Sequence, residues 1–153
     1  MNRYCLILSL SLINYCLAYY TYDRIDSTLH VWQTTFGTNP HPSNDYGGFG
    51  IIYNLDTIGY SSQDNLPIYA VKLSAHADIK EAQPQVLILG QCHAEEIYGV
   101  EISMEIINQF LHPEQFQENR TFLQKGLYFT EIWIVPTYNP EGLRVVHGYV
   151  ENG

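Results

Sequence analysis

The stretch that most constrains this chain is the change of hydrophobic period between Val86 and Leu111. Val86-Leu87-Ile88-Leu89 is an unbroken apolar run ended by Gly90, the pattern of a strand buried on both faces. A few polar residues later, Ile97, Val100, Met104, Ile107 and Leu111 recur at steps of three and four, which aligns them on one side of a helix. Strand, tight turn and helix in this order form a βα unit, and a second apolar run from Phe129 to Val135 predicts the next strand.

The flanking segments extend the same architecture. Tyr22, Ile25, Leu29, Trp32 and Phe36 form one apolar stripe that stops at Gly37, so a surface helix is expected there. The stretch 38–48, with its Pro, Asn and Gly residues, reads as an irregular loop. Ile51, Tyr53 and Leu55 alternate with their neighbours, Ser61 to Asn65 makes a turn, and Ile68 to Leu73 alternates again, which predicts an antiparallel hairpin. A polar helix is expected from Glu114 to Lys125, after His112-Pro113 closes the helix before it. The fold class is therefore α/β, a three-layer α/β/α arrangement on a mixed central sheet.

Charge and the N-terminus narrow the partners. Seven Lys+Arg against sixteen Asp+Glu give a formal charge of -9, the wrong sign for holding nucleic acid or an anionic membrane. Arg3, the apolar run Tyr4 to Ile13 and the small residue Ala18 have the form of a signal peptide, so residues 1–18 are expected to be removed and the remainder exported. The run is shorter than the roughly 20 apolar residues that a membrane-spanning helix needs. Loss of this segment removes Cys5 and Cys16 and leaves Cys92, either as a buried free thiol or paired outside the chain. Asn119-Arg120-Thr121 fits a glycosylation acceptor, a triplet that also arises by chance.

Chemistry concentrates in the turn after the first apolar strand, Gly90-Gln91-Cys92-His93-Ala94-Glu95-Glu96. Ligands of open α/β sheets collect at the carboxyl ends of strands. His93 and Glu96, three apart at a helix start, can converge on one point, and imidazole nitrogen and carboxylate oxygen are both zinc donors. Glu95 reads instead as an acid complementing the helix N-terminus. Cys92 is set aside, because adjacent residues at a strand end point to opposite faces.

The segments VLILGQCHAEEIYGVEISMEIINQFL and EIWIVPTYNPEG together resemble the zinc carboxypeptidases of the carboxypeptidase A and B type. YDRIDSTLHVW and IGYSSQDNLPIYAVKLS are similar to that family's first helix and first hairpin, so the likeness runs from about Tyr22 to Asn152. The resemblance implies one zinc ion, held by a His-x-x-Glu pair and a second histidine, acting on the C-termini of peptides and proteins. His93 and Glu96 match the first two ligands, and Asn139-Pro140-Glu141-Gly142 matches a structural turn. Glu95 departs from the arginine often found there, which puts a substrate contact in doubt.

In that family the oxyanion arginine, the Asn-Arg pair for the substrate carboxylate, the second histidine and the general base all follow the Asn-Pro-x-Gly turn, and would fall beyond Gly153. The expectation is the N-terminal half of a catalytic domain over residues 19–153, inactive by itself, with no catalytic residue of its own. His30, His41, His76, His112 and His147 read as solvated or hydrogen-bonded residues, and Arg120 and Arg144 as surface cations. The alternatives are a non-catalytic secreted binding module with a partial hydrolase fold, or a related zinc amidohydrolase or cell-wall peptidase.

Overall fold

The computed structural model describes residues 19–148; the expected signal peptide lies outside them. Helix α1 (Tyr22–Phe36) begins at Thr21, whose hydroxyl accepts the Arg24 N–H at 3.3 Å, and buries Tyr22, Ile25, Leu29, Trp32 and Phe36. It ends where the Gly37 N–H reaches the Gln33 carbonyl. The hairpin follows as expected, with β1 (Tyr53–Tyr60) antiparallel to β2 (Pro67–Leu73). Asn65 in its turn takes a φ of 53°, a left-handed conformation that asparagine tolerates.

Strand β3 (Gln85–Gln91) leads through the 92–96 loop into α2 (Ile97–Leu111), then α3 (Arg120–Phe129), β4 (Glu131–Thr137) and the short α4 (Pro140–Val146). The order across the sheet is β1-β2-β4-β3, with β4 antiparallel to β2 and parallel to β3, so the α/β class and the mixed sheet are as expected. Register aligns Tyr53 with Leu73, Leu73 with Ile132, Val71 with Ile134, and Ile134 with Ile88. These residues share one face, since alternate residues of a strand point the same way. Among the described residues, buried apolar side chains from each of these four helices join one hydrophobic cluster with that face.

Two expectations are corrected. The Val86 to Leu89 strand is not buried on both faces: Val86, Leu87 and Leu89 are 44%, 63% and 52% exposed. β3 stands at the sheet edge, paired with β4 alone among the described strands. An apolar run records what a strand can bury, and its neighbours decide whether it does. The expected helix from Glu114 to Lys125 is instead two 3-10 turns, Pro113–Gln115 and Gln117–Asn119, followed by α3. His112 and Phe116 take φ near −130° and ψ near 55°, outside the helical region, and interrupt the chain before Arg120. Asn119 of the glycosylation triplet is exposed.

Candidate metal centre

The parallel pairing of β3 with β4 brings Gln91 opposite Thr137, so the two carboxyl ends lie side by side. The loop leaving β3 carries His93 and Glu96 at this rim, where the sequence expects a site. Their side chains meet, with His93 Nδ1 2.9 Å from Glu96 Oε1. The other carboxylate oxygen, Oε2, accepts the backbone N–H groups of His93 at 3.1 Å and Cys92 at 3.3 Å. Glu96 therefore uses one oxygen to hold the loop and turns the other toward the imidazole.

Both side chains are solvent-facing, 69% and 48% exposed, so an ion could reach them directly. The hydrogen bond that His93 donates to the Glu96 carboxylate, followed by the charge of Glu96, raises the His93 pKa, and the same hydrogen bond lowers that of Glu96. Each shift favours the charged form of its group, imidazolium beside carboxylate. The donor types fit zinc, whose Zn–N and Zn–O distances are about 2.0–2.2 Å. Glu96 is the N-cap residue of α2, and Glu95 stands one position before it, outside the first helical turn.

The remaining histidines are engaged elsewhere. His41 is buried, with Nε2 2.8 Å from the Leu111 carbonyl and Nδ1 accepting the Ser43 N–H at 3.1 Å. Burial pushes its pKa down, against the hydrogen bond to Leu111. His30 lies against Asp26, His76 against Glu81, His112 against Glu114, and His147 Nδ1 against the Leu143 carbonyl at 2.9 Å. Among the described residues, no group of three or more His, Cys, Asp or Glu side chains is placed to hold a metal. Arg120 pairs with Asp45, and Arg144 with Asp64 at 3.2 Å.

Cys92 is a half-buried free thiol. Its hydrogen bond with Tyr138 raises the pKa of that phenol. The Asn139 to Gly142 segment is more than a turn: Asn139 caps α4 through its side-chain oxygen, and Pro140 opens the helix. The Glu141 carboxylate accepts the N–H groups of Gln63 and Asp64 at 2.8 and 2.7 Å, which ties α4 to the β1–β2 turn.

The family model described as zinc carboxypeptidase matches residues 49–151. This chain belongs to the zinc carboxypeptidase family. The match runs from just before β1 past α4 and includes both His93 and Glu96. A zinc carboxypeptidase of Saccharothrix mutabilis subsp. capreolus is 32% identical over 92 residues, 60% of this chain and 20% of that protein. The human carboxypeptidase N catalytic chain is 27% identical over 128 residues, 83% of this chain and 24% of its own length. The crystal structure of carboxypeptidase A from Helicoverpa armigera superposes with a TM-score of 0.64 at 15% identity, over 85% of this chain and 27% of the other. The likeness at that identity is one of fold. This chain spans a quarter or less of the length of these two sequence relatives.

The sequence expectations of a zinc carboxypeptidase relationship and an α/β fold therefore hold. Sequence reasoning gave Asn139 only as part of a structural turn and missed Gln91 and Thr137, which together with it support the 92–96 loop. A signal was present, since Gln91 and Thr137 are polar residues at the carboxyl ends of the apolar runs of two strands.

Proposed function

We propose that this chain is the N-terminal half of a zinc carboxypeptidase catalytic domain, with His93 and Glu96 as two ligands of its one zinc ion. The observation that carries this reading is the 2.9 Å approach of His93 Nδ1 to Glu96 Oε1 at the rim of the parallel strands. A bound zinc would polarise the scissile carbonyl and lower the pKa of a coordinated water to about 7. This chain's share is to present an imidazole nitrogen and a carboxylate oxygen toward one point, on a loop anchored by Glu96 Oε2. The substrate class is the C-terminal peptide bond of peptides and proteins.

The second histidine, the general base and the arginines of this family are assigned to sequence beyond Gly153. This chain by itself then binds zinc weakly, because two protein ligands leave a tetrahedral site half built. After dialysis against zinc-free buffer it should retain well under one equivalent, and it should release no C-terminal residue from a peptide. His93→Ala and Glu96→Ala should each abolish the residual binding in a zinc titration. Binding that is indifferent to both substitutions would sink the reading.

The chain is proposed to be exported, with residues 1–18 as its leader. No helix among the described residues is long and apolar enough to cross a membrane. N-terminal sequencing of protein recovered from the medium or periplasm should begin at Tyr19. A mature N-terminus at Met1 would refute cleavage.

A further inference from the structure

We propose that Asn139, acting with Gln91 and Thr137, is a positioning residue that fixes the backbone on both sides of His93. The inference rests on His93 and Glu96 being zinc ligands. The 92–96 loop has no strand or helix ladder to set its conformation. Its carbonyls instead receive side-chain donors: Asn139 Nδ2 donates to the Cys92 carbonyl at 2.9 Å, and Gln91 Nε2 to the His93 carbonyl at 2.8 Å.

These two carbonyls belong to the two peptide planes that flank the His93 α-carbon. The first plane is also held through the His93 N–H, which donates to Glu96 Oε2 at 3.1 Å, and the second through the Glu96 N–H, which reaches the His93 carbonyl at 3.1 Å. A peptide plane is rigid, so fixing both planes sets φ and ψ of the residue between them. The direction of the His93 Cα–Cβ bond, from which the imidazole is projected, follows from those two angles.

The donors are themselves held. Gln91 is fully buried, and its Oε1 accepts the Thr137 hydroxyl. Thr137 Oγ1 in turn accepts the Asn139 N–H at 3.1 Å, while Asn139 Oδ1 accepts the Gly142 N–H at 3.0 Å. The end of β4 and the start of α4 are thereby connected to the ligand loop by a network in which each bond orients the next.

Asn139 has two separable jobs, which makes the inference testable. Serine caps helices about as well as asparagine. It is too short to reach the Cys92 carbonyl, so Asn139→Ser keeps the cap and removes the clamp. The near-isosteric Thr137→Val keeps the bond from the Gly142 N–H to Asn139 Oδ1 and cuts the arm that orients Gln91, together with the acceptor of the Asn139 N–H, which keeps the test available if the first variant folds poorly. The experiment is an NMR titration of the full chain with Zn(II), following the His93 ring and the amides of Cys92 to Glu96.

Both variants should weaken zinc binding about tenfold, the size of effect seen when groups supporting metal ligands are lost. They should also shift the loop amides without metal, while amides of the β1–β2 hairpin stay in place. Wild-type zinc affinity in a folded Asn139→Ser or Thr137→Val protein would overturn the positioning role and leave the ligand assignment standing. Zinc binding that His93→Ala does not change would overturn both.

Discussion

Gly90→Ala should destabilise the chain by about 3 kcal/mol, at the upper end of the usual cost of overpacking, and lower its melting temperature by about 10 °C. A Cβ at Gly90 would lie 2.2 Å from the Pro136 carbonyl oxygen, 2.6 Å from Ser103 Oγ and 2.9 Å from the Gly99 carbonyl oxygen. Two of those three are backbone atoms and cannot swing aside. Gly99 on α2 faces Gly90 in return, with a Cβ there falling 2.8 Å from the Gly90 carbonyl carbon. The glycine pair lets helix and strand meet backbone to backbone, one turn from the loop that carries His93 and Glu96.

Relief of the clash requires both the Pro136 carbonyl of β4 and α2 to move away from β3, which opens the cluster around Val100, Met104 and Ile107. Gly59→Ala is the control, because a Cβ there meets nothing within 4 Å. It should be neutral or slightly stabilising, as expected when glycine's excess backbone freedom is removed at an open strand position. Thermal unfolding followed by circular dichroism decides the matter. A Gly90→Ala protein melting within about 2 °C of wild type would show that α2 and β3 do not approach this closely.

The second large effect is expected at the ion pair of Lys72 and Glu131. Their side chains are 6% and 2% exposed, with Nζ 2.9 Å from Oε1. Gln85 Nε2 donates to Glu131 Oε2 at 2.8 Å, the Glu81 N–H reaches Oε1 at 3.3 Å, and the Lys72 ammonium lies 5.9 Å from the Trp133 ring centre. Burial acts to raise the Glu131 pKa, but the hydrogen bonds from Lys72, Gln85 and Glu81 outweigh it and hold the carboxyl at about 2.

Lys72→Met removes the counter-charge and leaves a buried carboxylate, so a loss of about 3–5 kcal/mol is expected. The double variant Lys72→Met with Glu131→Leu should recover most of that loss, since an apolar pair carries no desolvation penalty. The folded pKa of Glu131 lies below its ordinary value of 4.5, so the unfolded chain takes up the proton first. Its contribution to stability is complete above about pH 4.5 and disappears as pH falls toward 2. The stability deficit of Lys72→Met should therefore be largest near neutral pH and shrink as falling pH protonates the stranded carboxyl. A deficit that stays the same between neutral and acid pH would contradict this account of the pair.

Much of the fold was legible because it is written in local periods. The stripe Tyr22, Ile25, Leu29, Trp32, Phe36 specifies α1 down to its buried face, and alternation at Tyr53, Leu55 and Ile68 to Leu73 specifies the hairpin. The helix after β3 was legible from its stripe Ile97, Val100, Met104, Ile107 and Leu111, which spans the observed Ile97–Leu111. The Glu114 to Lys125 segment was not, because composition there allows a helix while the backbone of His112 and Phe116 breaks it.

At the candidate metal centre, spacing alone pairs His93 with Glu96, since three residues at a helix start bring two side chains to one side. The support beneath them lay beyond spacing. Gln91, Thr137 and Asn139 come from the ends of two strands and the cap of a third element, and only the parallel register of β3 and β4 makes them neighbours.

The sequence by itself determined the βα unit, the pairing of His93 with Glu96 and the family, because each depends on residue type and short spacing. The tertiary structure decided which strand is the edge, which carboxylate is buried against which lysine, and how the His93 backbone is held. Those features depend on long-range pairing, in which residues such as Lys72 and Glu131 meet across two strands that the sequence separates by the whole of β3, α2 and α3.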